Sequence, residues 1–291
     1  YWDVSPTSFS LRWGNNSNPF SKTTYTVTAS TAPNFDAAAE PYQLSLDTVP
    51  AAGPMASFTS LIQNATYFVR VRAVNHASLA TNYRDLASSA TLAEAPSSLN
   101  FIGVPPAETA LRLDWSANGN SNADNVAHTT YTVVVSTDPQ FGFSAYVTTH
   151  TTMGLSLSTA SLSVNTTYYF RSKAMNHNGW ETDWSLASTS TLANLPTAAP
   201  APDFGPIHLT SFTVRWDRNG NPSSPAVGYT TYTLEMSASP SFSAFETDRV
   251  VMDTIPTGEC PAASFTGRSE NTTYYFRVQA HNQNHVHTAW A

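Results

Sequence analysis

His281, His285 and His287 come nearest to a metal site in this sequence, since imidazoles two and four places apart can converge on one cation. No carboxylate stands beside them. The matching places elsewhere in the chain hold Val74, Ser78 and Ala80, and Met175, Gly179 and Glu181, so no metal is expected. The loop Asn118-Gly-Asn-Ser-Asn-Ala-Asp124 has the polar oxygens of a calcium loop but lacks its closing bidentate Glu. There is no Gly-x-Ser-x-Gly, no His-Glu-x-x-His and no glycine-rich phosphate loop. The carboxylates are scattered, so neither an enzyme nor a cofactor is expected. A single cysteine, Cys260, rules out an intrachain disulfide. It reads either as a small apolar residue in an insertion or as an intermolecular bridge.

The elements that must position these residues are set by a repeat. Asn165-Thr-Thr-Tyr-Tyr-Phe-Arg-Ser-Lys-Ala-Met-Asn-His177 occurs also as Asn64-Ala-Thr-Tyr-Phe-Val-Arg-Val-Arg-Ala-Val-Asn-His76 and as Asn271-Thr-Thr-Tyr-Tyr-Phe-Arg-Val-Gln-Ala-His-Asn282. Copies about 100 residues apart mean one sandwich-sized domain per copy rather than a helical solenoid. Three domains are expected, over residues 1–93, 94–194 and 195–291. Read as a strand, each copy splits into two faces by period-2 alternation. Tyr67, Val69, Val71 and Ala73, like Tyr168, Phe170, Ser172 and Ala174 or Tyr274, Phe276, Val278 and Ala280, form the core side. Phe68, Arg70, Arg72, Tyr169, Arg171, Lys173, Tyr275, Arg277 and Gln279 form a wet side. Such a strand belongs to an antiparallel sheet.

Earlier strands repeat as well. Phe9, Leu11 and Trp13 share a face, as do Leu111, Leu113 and Trp115, and Phe212, Val214 and Trp216. Turn-forming Asn16-Ser-Asn-Pro19, Asn118-Gly-Asn-Ser121 and Asn219-Gly-Asn-Pro222 follow. Next come strands with Tyr25, Tyr131 or Tyr232 pointing inward, then Ser-x-x-Pro-x-Phe turns ending at Phe35, Phe141 and Phe242. Those phenylalanines are expected to plug one end of the core. Leu86 to Leu92 and Leu186 to Leu192 read as last strands, and Pro96 and the Leu195 to Pro202 stretch as short, semi-stiff hinges. Nothing has a convincing helical period, so the fold class is all-β.

Hydrophobic residues make up 41% of the chain, enough for packed cores, while charged residues make up only 11%. With a net charge of −7 and only Lys22 and Lys173 as lysines, there is no basic footprint, so nucleic acid is not an expected partner. No apolar run approaches the ~20 residues of a membrane helix.

These inward Trp and Tyr positions, with a Tyr opening the sixth strand after a turn and Ala and Asn beyond it, resemble tandem fibronectin type III domains. The arrangement is similar to arrays in bacterial surface or secreted repeat proteins. The resemblance implies three immunoglobulin-like β-sandwiches, with Trp13, Trp115 and Trp216 in their cores. It makes Tyr67, Tyr168 and Tyr274 tyrosine corners, whose hydroxyls tie back to the backbone upstream. No Arg-Gly-Asp follows Asn75, Asn176 or Asn282, so integrin-type binding does not carry over.

Two recurring features are open to a functional reading. Sequons at Asn64, Asn165 and Asn271 occupy one turn, and Asn15 adds a fourth. Asn there either serves the left-handed turn or accepts a glycan, in which case all three turns are exposed. Phe68, Arg70, Tyr169, Arg171, Tyr275 and Arg277 form either plain cross-strand pairs or an interface stripe. The expected function is a non-enzymatic extracellular structural or adhesive repeat protein, part of a head-to-tail filament. Its partners would be other copies of itself, surface glycans or cell-surface proteins. The alternative is a glycan-binding or spacer module of a secreted polysaccharide-degrading enzyme. By alignment, repeat one is expected to lack its first strand and repeat three its last.

Overall fold

The computed structural model describes residues 1–35, 43–101, 107–121, 129–142, 147–199, 203–224, 228–243, 250–254 and 260–291. Among them there is no helix; the chain is all-β with antiparallel strand pairing. The middle repeat shows the plan. Ser97–Phe101, Leu111–Ser116 and Ser156–Thr159 form one sheet in the order first, second, fifth strand. Val147–Thr152, Thr130–Ser136, Thr167–Met175 and Ser185–Ser190 form the other. Thr130–Ser136, Val147–Thr152 and Thr167–Met175 are rich in Thr, Val and Tyr, which suit a pleated, half-buried surface. Thr167–Met175 buries every second residue, so its register is strongly fixed: a one-residue slip would turn the core side chains to solvent.

The outer repeats copy this plan. Phe9–Arg12 pairs Met55–Phe58, and Thr24–Ser30 lies between Gln43–Thr48 and Thr66–Val74. Ser211–Asp217 lies between Phe204–His208 and Ala262–Phe265, and Thr231–Ser237 between Val250–Thr254 and Tyr275–His281. Three separate buried clusters result, centred on Phe9, Tyr25 and Tyr67; on Leu113, Tyr131 and Phe170; and on Trp216, Tyr232 and Leu234. Ala93 packs against the second cluster and Ala193 belongs to the third, so each linker enters the core of the repeat it leads into.

In each core the tryptophan meets the next strand's tyrosine edge-on, with ring centroids 5.5 Å apart for Trp13–Tyr25, 5.7 Å for Trp115–Tyr131 and 5.5 Å for Trp216–Tyr232. That arrangement suits the two ring quadrupoles. The tyrosine hydroxyls at 67, 168 and 274 each accept a hydrogen bond from a backbone N–H five residues upstream: Ile62 at 2.9 Å, Ser163 at 2.8 Å and Ser269 at 3.0 Å.

The first strand of repeat one is not wholly missing. Trp2 bridges Ser10, its N–H donating to Ser10 O and accepting the reverse bond on its carbonyl, both at 3.0 Å. In repeat three, Ala291 and Val278 exchange two backbone bonds, at 2.9 and 3.0 Å, where Arg84 pairs with Val71 in repeat one.

Candidate functional site: the joints between repeats

Asn64, Asn165 and Asn271 all have positive φ, at 47°, 41° and 51°, as the turn before the strand requires. Asn tolerates this region better than most residues because its short amide bonds locally. Asn64 and Asn165, however, are completely buried, because the following repeat covers them. Asn64 Nδ2 donates to Thr129 Oγ1 at 2.8 Å, and His177 N donates to Asn64 Oδ1 at 3.0 Å. The second joint repeats this pair: Asn165 Nδ2 donates to Thr230 Oγ1 at 2.8 Å, and Gln283 N to Asn165 Oδ1 at 2.9 Å. The expectation that all three sequon turns are exposed is therefore corrected at Asn64 and Asn165, whose amides are spent on a neighbouring repeat. Asn271 is exposed. Asn15 is half-buried and donates its amide to Asn18 O at 3.0 Å.

The opposite face of each joint is equally regular. Asn176 and Asn282 use Oδ1 to cap their own loops, accepting from Asn178 and Trp180 N–H at 3.0 and 2.8 Å, and from Asn284 and Val286 N–H at 3.0 and 2.9 Å. That leaves Nδ2 to donate back across the joint, to Thr91 O at 3.2 Å and Thr191 O at 3.1 Å. A buried amide left unpaired costs about 1–3 kcal/mol, so these fully used asparagines fix the contact as well as strengthen it.

A third asparagine holds the linker. Asn120 accepts from Glu94 N and donates to Glu94 O, both at 2.7 Å. Asn221 does the same with Asn194, both at 2.8 Å. Beside them Asn118 donates to Ala95 O at 3.0 Å and Asn219 to Leu195 O at 3.1 Å. The two joints differ at one backbone group. Ser121 N donates to Gln63 O at 3.0 Å, whereas the matching residue in the second joint is Pro222, which has no N–H. Gly119 takes φ +84°, a conformation that strains other residues, and a side chain there would also force the Gln63 amide to move.

The outward aromatic and Arg residues are largely occupied within their own repeat. Arg171 lies between the rings of Phe141 and Trp184, at 4.3 and 4.4 Å from their centroids. Arg70 lies between Phe35 and Tyr83 at 4.2 and 4.1 Å, and Arg277 between Phe242 and Trp290, both at 4.4 Å. Each contact of this type is worth about 0.5–2 kcal/mol, more as water is excluded. Under these sandwiches the outward residues Thr28, Val134 and Glu235 are buried, each paired in register with its Arg. Phe35, Phe141 and Phe242 therefore do not plug the core end. They cap a small second core on the outer sheet face, and each takes a positive φ, of 53°, 55° and 50°, to do so. Phe68 and Tyr169 are half-buried and Tyr275 is exposed.

Repeat three adds a carboxylate here. Fully buried Glu235 accepts from Arg277 Nε at 2.6 Å and Nη2 at 2.5 Å. The Nε of Arg70 and of Arg171 is buried with no hydrogen-bond partner.

His281 and His287 stack at 5.8 Å across a bridge, and His281 Nε2 pairs with Thr233 Oγ1 at 2.8 Å. Among the described residues no three His, Cys, Asp or Glu side chains converge. Asn122 to Asp124 of the calcium-like loop lie outside the described residues. Cys260 is exposed and unpaired.

Fold and joints together define a tandem array of antiparallel β-sandwiches coupled end to end. The sequence matches no family model and no curated protein. Solved structures similar to the chain include the FN1-FN3 domains of chicken CNTN1, at 15% identity and TM-score 0.33 over 99% of this chain and 93% of that one. A two-domain fibronectin type III segment of chicken tenascin has 15% identity and TM-score 0.41 over 65% of this chain and 95% of that one.

The sequence carries a signal for the joints in the spacing of its Thr and Asn residues. Thr23, Thr129 and Thr230 precede their inward tyrosines by two places, and Asn75, Asn176 and Asn282 recur in step with Asn64, Asn165 and Asn271.

Proposed function

We propose that this chain is a non-enzymatic, extracellular structural or adhesive repeat protein that works as a length of a head-to-tail surface filament. The observation that carries this reading is the sameness of the two joints. Asn64–Thr129 and Asn165–Thr230 make the same bond, at 2.8 Å in both, so each repeat meets the next through one tail face and one head face. A contact of that heterologous kind propagates in one direction unless its rotation closes a ring. A chain with only 11% charged residues and linkers pinned at Asn120 and Asn221 suit a spacer that holds its ends apart. No helix among the described residues is long and apolar enough to cross a membrane.

Negative-stain electron microscopy of the purified chain at rising concentration tests the reading. Rods lengthening by units of about three sandwiches are expected. Single three-bead particles at every concentration, together with specific retention on a polysaccharide column, would instead favour the glycan-binding module.

A further inference from the structure

We propose that the exposed head of the first repeat is a socket for the Asn271 turn of a second copy of this chain. The proposal rests on the filament reading and names the atoms that make the contact.

The socket is built like the two occupied ones. Thr23 donates both its N–H and its hydroxyl to Pro19 O, at 3.3 and 3.1 Å. Thr129 does this to Ser121 O at 3.2 and 2.6 Å, and Thr230 to Pro222 O at 3.1 and 2.9 Å. In all three the hydroxyl proton is committed, so the oxygen presents its lone pair as an acceptor. That lone pair is what Asn64 and Asn165 bind at the occupied joints. Asn75 caps its loop through Oδ1 to Ala77 and Leu79 N–H, both at 2.9 Å, as Asn176 and Asn282 do. The His76 main-chain N–H is thereby held where His177 and Gln283 donate. These groups line an open cleft of about 450 Å³ together with Pro19 and Lys22.

The plug matches it. Asn271 has the φ of its two counterparts and is exposed. Thr272 Oγ1 ties the turn to Glu270 O at 3.0 Å, as Thr166 Oγ1 ties its own to Val164 O at 2.8 Å. Thr273 stands where Thr66 meets the His177 ring at 3.2 Å, and His76 is again a histidine. Docking therefore gives Asn271 Nδ2 the Thr23 oxygen, Asn271 Oδ1 the His76 N–H, and Thr273 the His76 ring.

The contact joins unlike faces, so defects on the two faces must complement each other. In a Cys260→Ser background, Thr23→Val removes the socket's acceptor and Asn271→Asp removes the plug's donor while keeping a residue that tolerates positive φ. Sedimentation velocity should show the parent chain growing in mass with concentration and each variant associating at least tenfold more weakly. A one-to-one mixture of the two variants should stop at a dimer, because only one sound joint remains. Thr23→Ser, which keeps the hydroxyl, should restore association and shows that any loss at Thr23→Val is not misfolding. Undiminished oligomers in both variants would overturn this socket while leaving the filament reading in place. A parent chain that stays monomeric at millimolar concentration would overturn both.

Discussion

Asn64 and Thr129 belong to different repeats, yet their side chains are hydrogen-bonded at 2.8 Å and both are fully buried. Replacing Asn64 with Ala leaves the Thr129 oxygen and the His177 N–H without their partner, at a cost of about 1–3 kcal/mol. Asn64→Ala and Asn165→Ala should each lower the melting temperature measurably and, in small-angle scattering, broaden the range of lengths. Asn271→Ala, at the exposed turn, should cost only the strain of Ala at a positive φ, about 1 kcal/mol, which the other two sites carry in addition to their lost bonds. Equal effects at all three sites by calorimetry would contradict the burial of the first two.

Phe141 is held at φ +55° to put its ring on Arg171. Phe141→Ala should lose the ring and keep the strain, whereas Phe141→Gly loses the ring and relieves it. The Gly variant should thus unfold about 1 kcal/mol harder than the Ala variant, against the usual order for a strand protein. Denaturant titration of the pair reads that difference directly.

Glu235 and Arg277 form a buried ion pair in repeat three, where repeat two has Val134 and Arg171. Arg277→Met removes the cation paired with a buried carboxylate and should cost about 3–5 kcal/mol. Glu235→Val recreates the arrangement of repeat two and should cost far less, since Arg277 keeps both rings. Thermal melts of the two variants should separate clearly.

His177 sits in the first joint with its Nε2 buried and unpartnered, and burial lowers its pKa from the ordinary 6.5. A base with a depressed folded pKa binds fewer protons than the unfolded chain between the two values. Its stability contribution is therefore full above about pH 6.5 and falls as the pH drops through that interval. Acidification should loosen the first joint before the second, where Gln283 stands at the same place. Hydrogen exchange at the His177 and Gln283 amides from pH 7.5 to 5 should show protection falling first at His177.

The core was legible in the sequence because its signal is local and periodic: Tyr168, Phe170, Ser172 and Ala174 alternate within one strand. The joints were not. Asn64 reads locally as a turn residue, and Thr129 lies 65 residues further along the chain, so neither residue announces the other. At Phe35, Phe141 and Phe242 an apolar ring after a turn suggests the core. A positive φ, which no residue pattern displays for Phe, sends the ring outward onto Arg instead. The buried Asn and Thr pairs show why a polar repeat can still be architecture: at these positions the amide is packed, not displayed.

The Asn120 and Asn221 clamps touch only main-chain atoms of Glu94 and Asn194. An amide that recognises another residue's N–H and C=O is blind to that residue's side chain, and the two linkers accordingly carry an acid in one place and an amide in the other. Repeats coupled this way are interchangeable parts. A duplication or exchange that delivers a whole repeat in frame arrives with a working connection, and the length of such an array can drift between generations without any new fit having to be found.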